Sequence, residues 1–252
     1  MRLHVSTWLL CLSAIIGSAQ DISQTADATA PEYKNVIRYN LTGALLFGID
    51  KYVVFGYERT VKSNQSFSVN FGTAAMPRLI AISTEDFDLQ RDQKNSGFNI
   101  SPDYRFYLKK ENRYRPPHGL YIGPYYSYNH FKRENFWKYK VSGAGSDIDT
   151  HSVLNIHMFG FEIGYQFVLW KRMTLDMVMM GPGLGVYNYN VEFHTPVSAS
   201  EREQLLEGME QLLTQKFPGM NFVFADQQFS ADGRLRTSAA GFRYIVHVGF
   251  RF

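Results

Sequence analysis

The stretch Gly241-Phe-Arg-Tyr-Ile-Val-His-Val-Gly-Phe-Arg-Phe252 alternates between two kinds of side chain as far as the last residue. Successive side chains of a β-strand point to opposite faces. One face therefore receives the apolar set Phe242, Tyr244, Val246, Val248, Phe250 and Phe252. The other face receives Arg243, Ile245, His247, Gly249 and Arg251. The segment predicts a strand that separates an apolar from a polar environment.

Seven further segments alternate in the same way, and each is near or above the roughly 9 to 11 residues that a tilted transmembrane strand requires. The predicted strands are 35–48, 52–61, 66–75, 98–108, 120–131, 153–169, 173–191 and 241–252. Their connections include short turns at 62–65 and 170–172 and long loops at 76–97, at 132–152 and after Glu192. Short turns at one end and long loops at the other favour an all-β fold, an eight-stranded antiparallel transmembrane β-barrel with long outer loops.

The first residues have the pattern of a secretory signal peptide. Arg2 precedes an apolar core that is too short to span a bilayer as a helix, and Gly17-Ser18-Ala19 forms a small-residue cleavage site. We expect a signal peptide over 1–19, a periplasmic segment over 20–34 and the barrel over 35–252. The only cysteine, Cys11, lies in the signal peptide, so the mature chain is predicted to lack thiols.

The charge balance excludes one class of partner. The chain has 26 Lys and Arg against 23 Asp and Glu, a net charge of +3. Removing 1–19 takes away one Arg and no acid, which leaves 25 − 23 = +2. A balance so close to neutral predicts no nucleic-acid partner.

The positions of the charged residues indicate which face of each predicted strand points into the barrel. Lysines fall at strand ends, turns and loops, whereas the polar strand faces carry acids and arginines among small residues. An eight-stranded barrel is just wide enough for side chains to fill it, so we expect these charges to form a paired lumen network. A narrow conductance or proton path is the alternative function for the same residues. The predicted network consists of Arg38, Glu58, Asp103, Arg105, Glu162, Asp176, Arg243 and Arg251.

Several motifs together resemble a family of small eight-stranded outer-membrane barrels of Bacteroidetes-type bacteria, a domain of unknown function similar in build to OmpX and OmpW. They are Asn35-Val-Ile-Arg-Tyr-Asn-Leu-Thr-Gly43, Phe55-Gly-Tyr-Glu-Arg59, Gly97-Phe-Asn-Ile-Ser-Pro-Asp-Tyr-Arg-Phe-Tyr107, Gly119-Leu-Tyr-Ile-Gly-Pro-Tyr125 and Gly181-Pro-Gly-Leu-Gly185. The resemblance covers most of the mature chain. It implies the barrel fold and the outer membrane of a Gram-negative bacterium, but no activity. The ending with Tyr244, Phe250 and Phe252 resembles the signal that the barrel-assembly machinery recognises, which implies that partner.

The last long loop contains a predicted amphipathic helix at about 198–217. Ser200 and Glu203 have the spacing of a capping box, and Pro218-Gly219 ends the helix. The apolar face must pack on the barrel rim, on the outer leaflet or on a partner protein. This face comprises Leu205, Leu206, Met209, Leu212 and Leu213.

Catalytic and metal sites are not predicted. His151 and His194, with Ser152 and Asp147 or Asp149, are the residues from which a lipid-modifying site would be built, but such coincidences are common among many serines and histidines. Histidine spacing does not match a metal site, and no cofactor is expected. Aromatic and basic residues alternate over 131–140, which favours contact with lipid and lipopolysaccharide.

Two functions remain open at this stage. The first is a scaffold that presents outer loops for envelope structure, adhesion or binding of an envelope protein. The second is lateral passage or capture of a small apolar ligand, because Pro102, Pro124 and Pro182 interrupt predicted strands and indicate a local break in pairing. A bulge is the commoner consequence of such prolines.

Overall fold

A computed structural model describes residues 33–75, 87–112, 114–139, 147–216, 223–224 and 228–252, and Lys34–Phe252 form one compact unit. The predicted signal peptide and most of the predicted periplasmic segment lie outside the described residues. The elements in chain order are β1 (Asn35–Asn40), α1 (Leu41–Phe47), β2 (Tyr52–Lys62), β3 (Gln65–Ala74), β4 (Phe87–Tyr107), β5 (Gly119–Tyr139), β6 (Asp147–Leu169), β7 (Met173–Phe193), α2 (Ala199–Lys216) and β8 (Arg234–Arg251).

Hydrogen bonding closes the sheet into a ring. Each strand pairs antiparallel with the next one along the chain, and β8 returns to pair with β1, where Ile37 lies opposite Phe250. The predicted eight antiparallel strands are therefore confirmed. Because alternate side chains point inward, the ring separates one set of residues from the set that faces outward.

The wall of the ring is uneven in height. Strands β4 to β8 contain 21, 21, 23, 21 and 18 residues, whereas β1, β2 and β3 contain 6, 11 and 10. The predicted loops at 76–97 and 132–152 were too long, because β4 begins at Phe87, β5 runs to Tyr139 and β6 begins at Asp147. In these extensions polar residues prevail and apolar ones such as Trp137 and Ile148 are isolated, so hydrophobic periodicity did not reveal them.

The prediction of a strand over 35–48 was wrong beyond Asn40. The Asn40 side chain caps α1 by accepting a hydrogen bond from the Gly43 N–H at 2.9 Å, which ends the strand. Gly48 closes the helix at a φ of +99°, a conformation that favours glycine. Adjacent Leu45 and Leu46 also break the alternation, and both are exposed.

The bulge predicted for Pro102 and Pro124 is absent, whereas a bulge does lie next to Pro182, where a kink was predicted. Around Pro102 and Pro124 the register between β4 and β5 stays constant, since Asp103 lies opposite Tyr125 and Phe106 opposite Ile122. The shift in register lies in β7, between Val178 and Gly181 and next to Pro182. A bulge adds one residue to one strand and reverses the face of the side chains that follow it.

The outer surface of the closed part of the ring is a band of exposed apolar side chains. Phe161 is 70% exposed, Phe242 63% and Phe71 60%. From Phe242 to Phe252 is 252 − 242 = 10 residue steps, or about 33 Å along the strand and about 25 Å at a tilt near 40°. Beyond this band the outward positions become polar, with Asn188 on β7 as one example. None of the helices in the described ranges is long and apolar enough to cross a membrane.

Candidate functional site

The part of the interior enclosed by β1 and the end of β8 is called lower here, and the part nearer α2 is called upper. The lower interior is filled by a cluster of charged side chains, which we call the charge cluster. It contains Arg38, Glu58, Asp103, Arg105, Glu162, Asp176, Arg243 and His247, and all but Arg243 are at most 3% exposed. They come from β1, β2, β4, β6, β7 and β8. Strand alternation directs them inward, and closure of the ring brings together residues that lie far apart in sequence.

Asp176 is the acceptor at the centre of the cluster. Its Oδ2 atom lies 2.9 Å from Arg38 Nη1, 2.9 Å from Arg105 Nη2 and 3.2 Å from His247 Nδ1. Its Oδ1 atom accepts a hydrogen bond from the Tyr121 hydroxyl at 2.7 Å. Side chains from β1, β4, β5 and β8 thereby meet at one carboxylate of β7.

The other carboxylates are held in a similar way. Arg105 Nε donates to Asp103 Oδ1 at 2.7 Å, and Ser68 Oγ donates to Asp103 Oδ2 at 2.5 Å. Glu58 accepts from the Tyr107 hydroxyl at 2.9 Å and lies 3.5 Å from Arg105 Nη1. Buried charges persist in a fold when they are paired and hydrogen-bonded in this manner.

Arg243 forms the upper boundary of the charge cluster. Its Nε atom donates to Glu162 Oε2 at 2.9 Å, and its Nη1 atom donates to Ser101 Oγ at 3.0 Å. The guanidinium stacks 3.7 Å from the centroid of the Tyr125 ring. These contacts hold β4, β5, β6 and β8 together.

Seven of the eight predicted network residues thus lie in the charge cluster, and Arg251 does not. Arg251 lies at the end of β8, where its Nε donates to the carbonyl of Lys171 in the β6–β7 turn. His247 belongs to the cluster but was left out of the predicted network, although its alternating position pointed to it. Tyr107 and Tyr121 were missed because tyrosine counts as apolar in a periodicity argument, whereas here their hydroxyls donate to carboxylates.

The upper interior contains a large apolar cluster, which is covered by α2. The buried side chains of Leu205, Leu206, Met209 and Leu213 are 1–5% exposed. They form one cluster with inward-facing residues of β5 to β8, namely Trp137, Ile148, Leu154, Tyr187, Tyr189, Val191, Leu235 and Ala239. Of the three surfaces considered for this helix, it packs on its own ring. The side chain of Leu212 lies outside the described residues.

The N-terminal cap of α2 is shifted by two residues from the predicted one. Ser198 Oγ accepts from the Glu201 N–H at 3.3 Å, and the Glu201 carboxylate accepts from the Ser198 N–H at 2.8 Å. Ser198 and Glu201 therefore form the reciprocal box that was predicted for Ser200 and Glu203. These hydrogen bonds lower the pKa of Glu201 from its ordinary value.

The lowered pKa of Glu201 predicts that acid loosens the start of α2. A carboxyl whose pKa is depressed by folding stabilises the fold above its unfolded pKa, about 4.3, and this contribution is lost as the pH falls below that value. We expect the 194–201 backbone to lose hydrogen-exchange protection on acidification through this range. Glu201→Gln should show reduced protection at neutral pH and a weaker pH dependence, whereas Glu203→Gln should behave as the wild type. A wild-type pH profile in Glu201→Gln would contradict the assignment.

Of the residues considered for catalysis, His151 and His194 come together and Ser152 does not join them. Asp149 lies on the same face of β6 as His151, and its carbonyl accepts a hydrogen bond from the His194 N–H at 2.9 Å. Ser152 points inward and its Oγ donates to the Arg133 carbonyl at 3.4 Å. His151, next to it on β6, points to the other face and stacks on His194 with 6.1 Å between ring centroids. The side chain of Asp147 lies outside the described residues. Within the described ranges, no three His, Cys, Asp or Glu side chains are grouped so as to hold a metal ion.

The basic and aromatic residues after Phe131 lie on β5 and are divided between its faces. Trp137 is 1% exposed and donates from Nε1 to Thr150 Oγ1 at 2.8 Å inside the ring. Lys132 and Lys138 remain outward and exposed. The predicted lipid contact of Trp137 was therefore wrong. Of the terminal residues in the proposed assembly signal, Tyr244, Phe250 and Phe252 are 61%, 40% and 48% exposed on the outer face.

Comparison with known proteins gives no relative. No family model, no curated protein sequence and no solved structure matches the chain.

Proposed function

We propose that the chain is a β-barrel of a Gram-negative outer membrane and acts as a scaffold for its outer loops. The observation that supports this proposal is the contrast between the two faces of one closed ring, with a paired charge cluster inside and an exposed apolar band outside. This contrast supports the proposal that lipid surrounds the band, because a water-soluble protein rarely exposes so large a continuous apolar surface. The family of small Bacteroidetes-type barrels fits this proposal.

The charge cluster supports a scaffold rather than an open pore. Side chains such as Arg105 and Glu58, both fully buried, occupy the centre of the ring. The strand extensions of β4 to β8 continue beyond the apolar band and carry the outer connections. The exposed side of α2 bears Glu203, Gln204, Glu207 and Gln211, which offer a polar surface to an envelope protein. Lipid, lipopolysaccharide and the barrel-assembly machinery complete the proposed partners, and no catalytic role is proposed.

Substitution on the outer face tests the membrane assignment. Phe161→Arg should reduce the free energy of unfolding in lipid vesicles by about 2–4 kcal/mol, the cost of arginine on the lipid face near the bilayer midplane. The matched control is Asn188→Arg, beyond the band, which we expect to change stability by less than about 0.5 kcal/mol. Unfolding by denaturant in vesicles measures both. Equal stability of Phe161→Arg and the wild type would contradict lipid contact, since Phe161 is 70% exposed and has little protein packing to lose.

The scaffold role is tested by removal of one outer element. A variant without 198–217 should keep the folded ring, detected by its resistance to detergent unfolding without heating, and should lose capture of its envelope partner in cross-linking within intact cells. Sustained single-channel conductance of the intact purified protein would contradict a filled interior. Retention of the same cross-linked partner after the deletion would exclude α2 as the presented surface.

The second candidate function is lateral capture of an apolar ligand, and the position of α1 in the wall of the ring favours it. This helix replaces a strand within the apolar band, with Leu45 and Leu46 about 70% exposed on its outer side. A strand ladder cannot open without breaking several backbone hydrogen bonds, whereas a packed helix is held by side chains. The register between β4 and β5 is unchanged at Pro102 and Pro124, so these prolines do not support a lateral opening.

A further inference from the structure

Among the described residues, a helix takes the place of a strand in the wall beside β1. Strand β1 pairs with β8 only from Val36 opposite Arg251 to Asn40 opposite His247, and β8 continues to Arg234. Beyond Asn40 the space between β2 and β8 holds α1. We call this part of the wall the α1 window. Two strand spacings amount to about 10 Å, which is also about the diameter of a helix, so α1 fits the space left by one absent strand.

The described contacts that hold α1 in the window are few. The Val246 N–H of β8 donates to Thr42 Oγ1 at 2.8 Å, in place of a backbone ladder. Gly43 and Ala44 face the protein, and a Cβ atom on Gly43 would lie 2.1 Å from the Tyr52 ring. The buried residues of α1, Gly43 and Ala44, are small, so displacing the helix exposes little apolar surface beyond the contact of the Phe47 and Tyr52 rings, whose centroids lie 5.6 Å apart.

Several inward residues above the charge cluster are only partly buried. Ser127, Asn129 and Met158 point into the ring but remain partly exposed, as do Gly183 and Gly241. The ring interior therefore keeps a chamber between the charge cluster below and α2 above. Its inner wall includes Met158 beside Gly241, and the rings of Tyr125 and Tyr187.

The chamber combines an apolar wall with uncharged hydrogen-bonding groups. Asn99 Nδ2 donates to Asn129 Oδ1 at 2.8 Å and to Ser127 Oγ at 3.3 Å, which forms a polar row beside Met158, the β6 partner of Ser127. The cation at its base, Arg243, is already paired with Glu162. Amides and hydroxyls suit an uncharged polar head, whereas a second anion next to Glu162 would be repelled.

We propose that the α1 window admits a single alkyl chain with an uncharged hydrogen-bonding head from the surrounding lipid into this chamber. The proposal rests on the lipid-facing band, because Leu45, Leu46 and Phe242 surround the window on the outside with apolar surface. Displacement of α1 opens a gap about 10 Å wide, sufficient for one chain. Met158 and Tyr187 contact the chain, and Asn99, Ser127 and Asn129 bind its head.

A disulfide that locks the window tests the proposal. Cys11 is the only cysteine, so a Cys11→Ser background leaves only introduced thiols. Thr42→Cys with Val246→Cys bridges α1 to β8, since the hydrogen bond between these residues brings them within reach of a disulfide. The matched control is Ile37→Cys with Phe250→Cys, which cross-links β1 and β8 where they are already paired.

The probe is a long-chain alcohol that carries a diazirine within its chain, added to folded protein in detergent micelles. Adducts on Met158 or Tyr187, mapped by mass spectrometry, should fall about tenfold when the window disulfide forms and return on reduction, because a lid must open for entry. The control pair should label as the wild type. Equal labelling of the chamber with the window locked, or adducts confined to outward residues such as Phe242, would overturn the proposal. Micelles keep this outcome separate from the bilayer test with Phe161→Arg.

Discussion

Replacing Arg105 by leucine is expected to cost about 3–5 kcal/mol of folding free energy, because it leaves buried carboxylates without their cation. The guanidinium contacts Asp103, Asp176 and Glu58 at 2.7, 2.9 and 3.5 Å. A loss of this size is a large part of the stability of a typical domain. We expect Arg105→Leu to lose the compact, heat-modifiable form on gels and to unfold at a much lower denaturant concentration.

Two further variants separate the effect of losing this buried charge from the effect of losing an arginine in general. Arg59→Leu removes an exposed arginine on β2 and should change stability by less than about 0.5 kcal/mol. Arg105→Lys keeps the charge but not the planar set of donors, so its stability should lie between that of the wild type and that of Arg105→Leu. Wild-type stability of Arg105→Leu would mean that the charge cluster does not hold the ring together.

Charging the buried face of α2 is expected to release the helix while the ring stays folded. Leu205 and Met209 are 1% and 4% exposed, and burying a side chain of this kind contributes about 1.5–3 kcal/mol. The double variant Leu205→Asp, Met209→Asp therefore loses at least about 3 kcal/mol of α2 packing. Since 1.4 kcal/mol is a factor of ten, proteolysis within 199–216 should be faster by about a hundredfold or more.

The exposed side of the same helix provides the control for this prediction. Gln204→Asp and Glu207→Gln change charge on α2 without touching its buried face and should leave the cleavage rate within about twofold of the wild type. Resistance of the ring to detergent should be the same in all variants, because the charge cluster lies below α2. Slow proteolysis of the double aspartate variant would contradict the packing of α2 on the ring.

The strands of this protein could be predicted from the sequence wherever one face of the strand was apolar and the other polar. This held for the lower parts of β4, β6 and β8, and it also identified most of the charge cluster, since inward positions there carry Arg, Asp and Glu. The pattern failed where both faces are polar, as in the extension of β4 above Gly97. Alternation measures a contrast between two faces, and there the contrast is absent.

Three other features depended on contacts that the sequence does not display. Asn40 ends β1 by capping α1, although Leu41 and Thr42 continue the alternation. In β7 the shift between Val178 and Gly181 changes which residues face inward, so that Asp176 and Tyr187 share the interior. The pairing of Asp176 with Arg38, 138 residues away, exists only because the ring closes.

Quenching by lipid measures directly whether the outer band contacts acyl chains. In a Trp8→Phe, Trp170→Phe background, Phe161→Trp places one indole on the band and Ser238→Trp places one beyond it, while Trp137 stays inside the ring as an unquenched reference. The protein is folded into vesicles of lipids brominated near the ends of their acyl chains. We expect strong quenching of the tryptophan at 161 and little at 238. Equal, weak quenching at both positions, with the folded protein remaining in the aqueous phase, would contradict this contact.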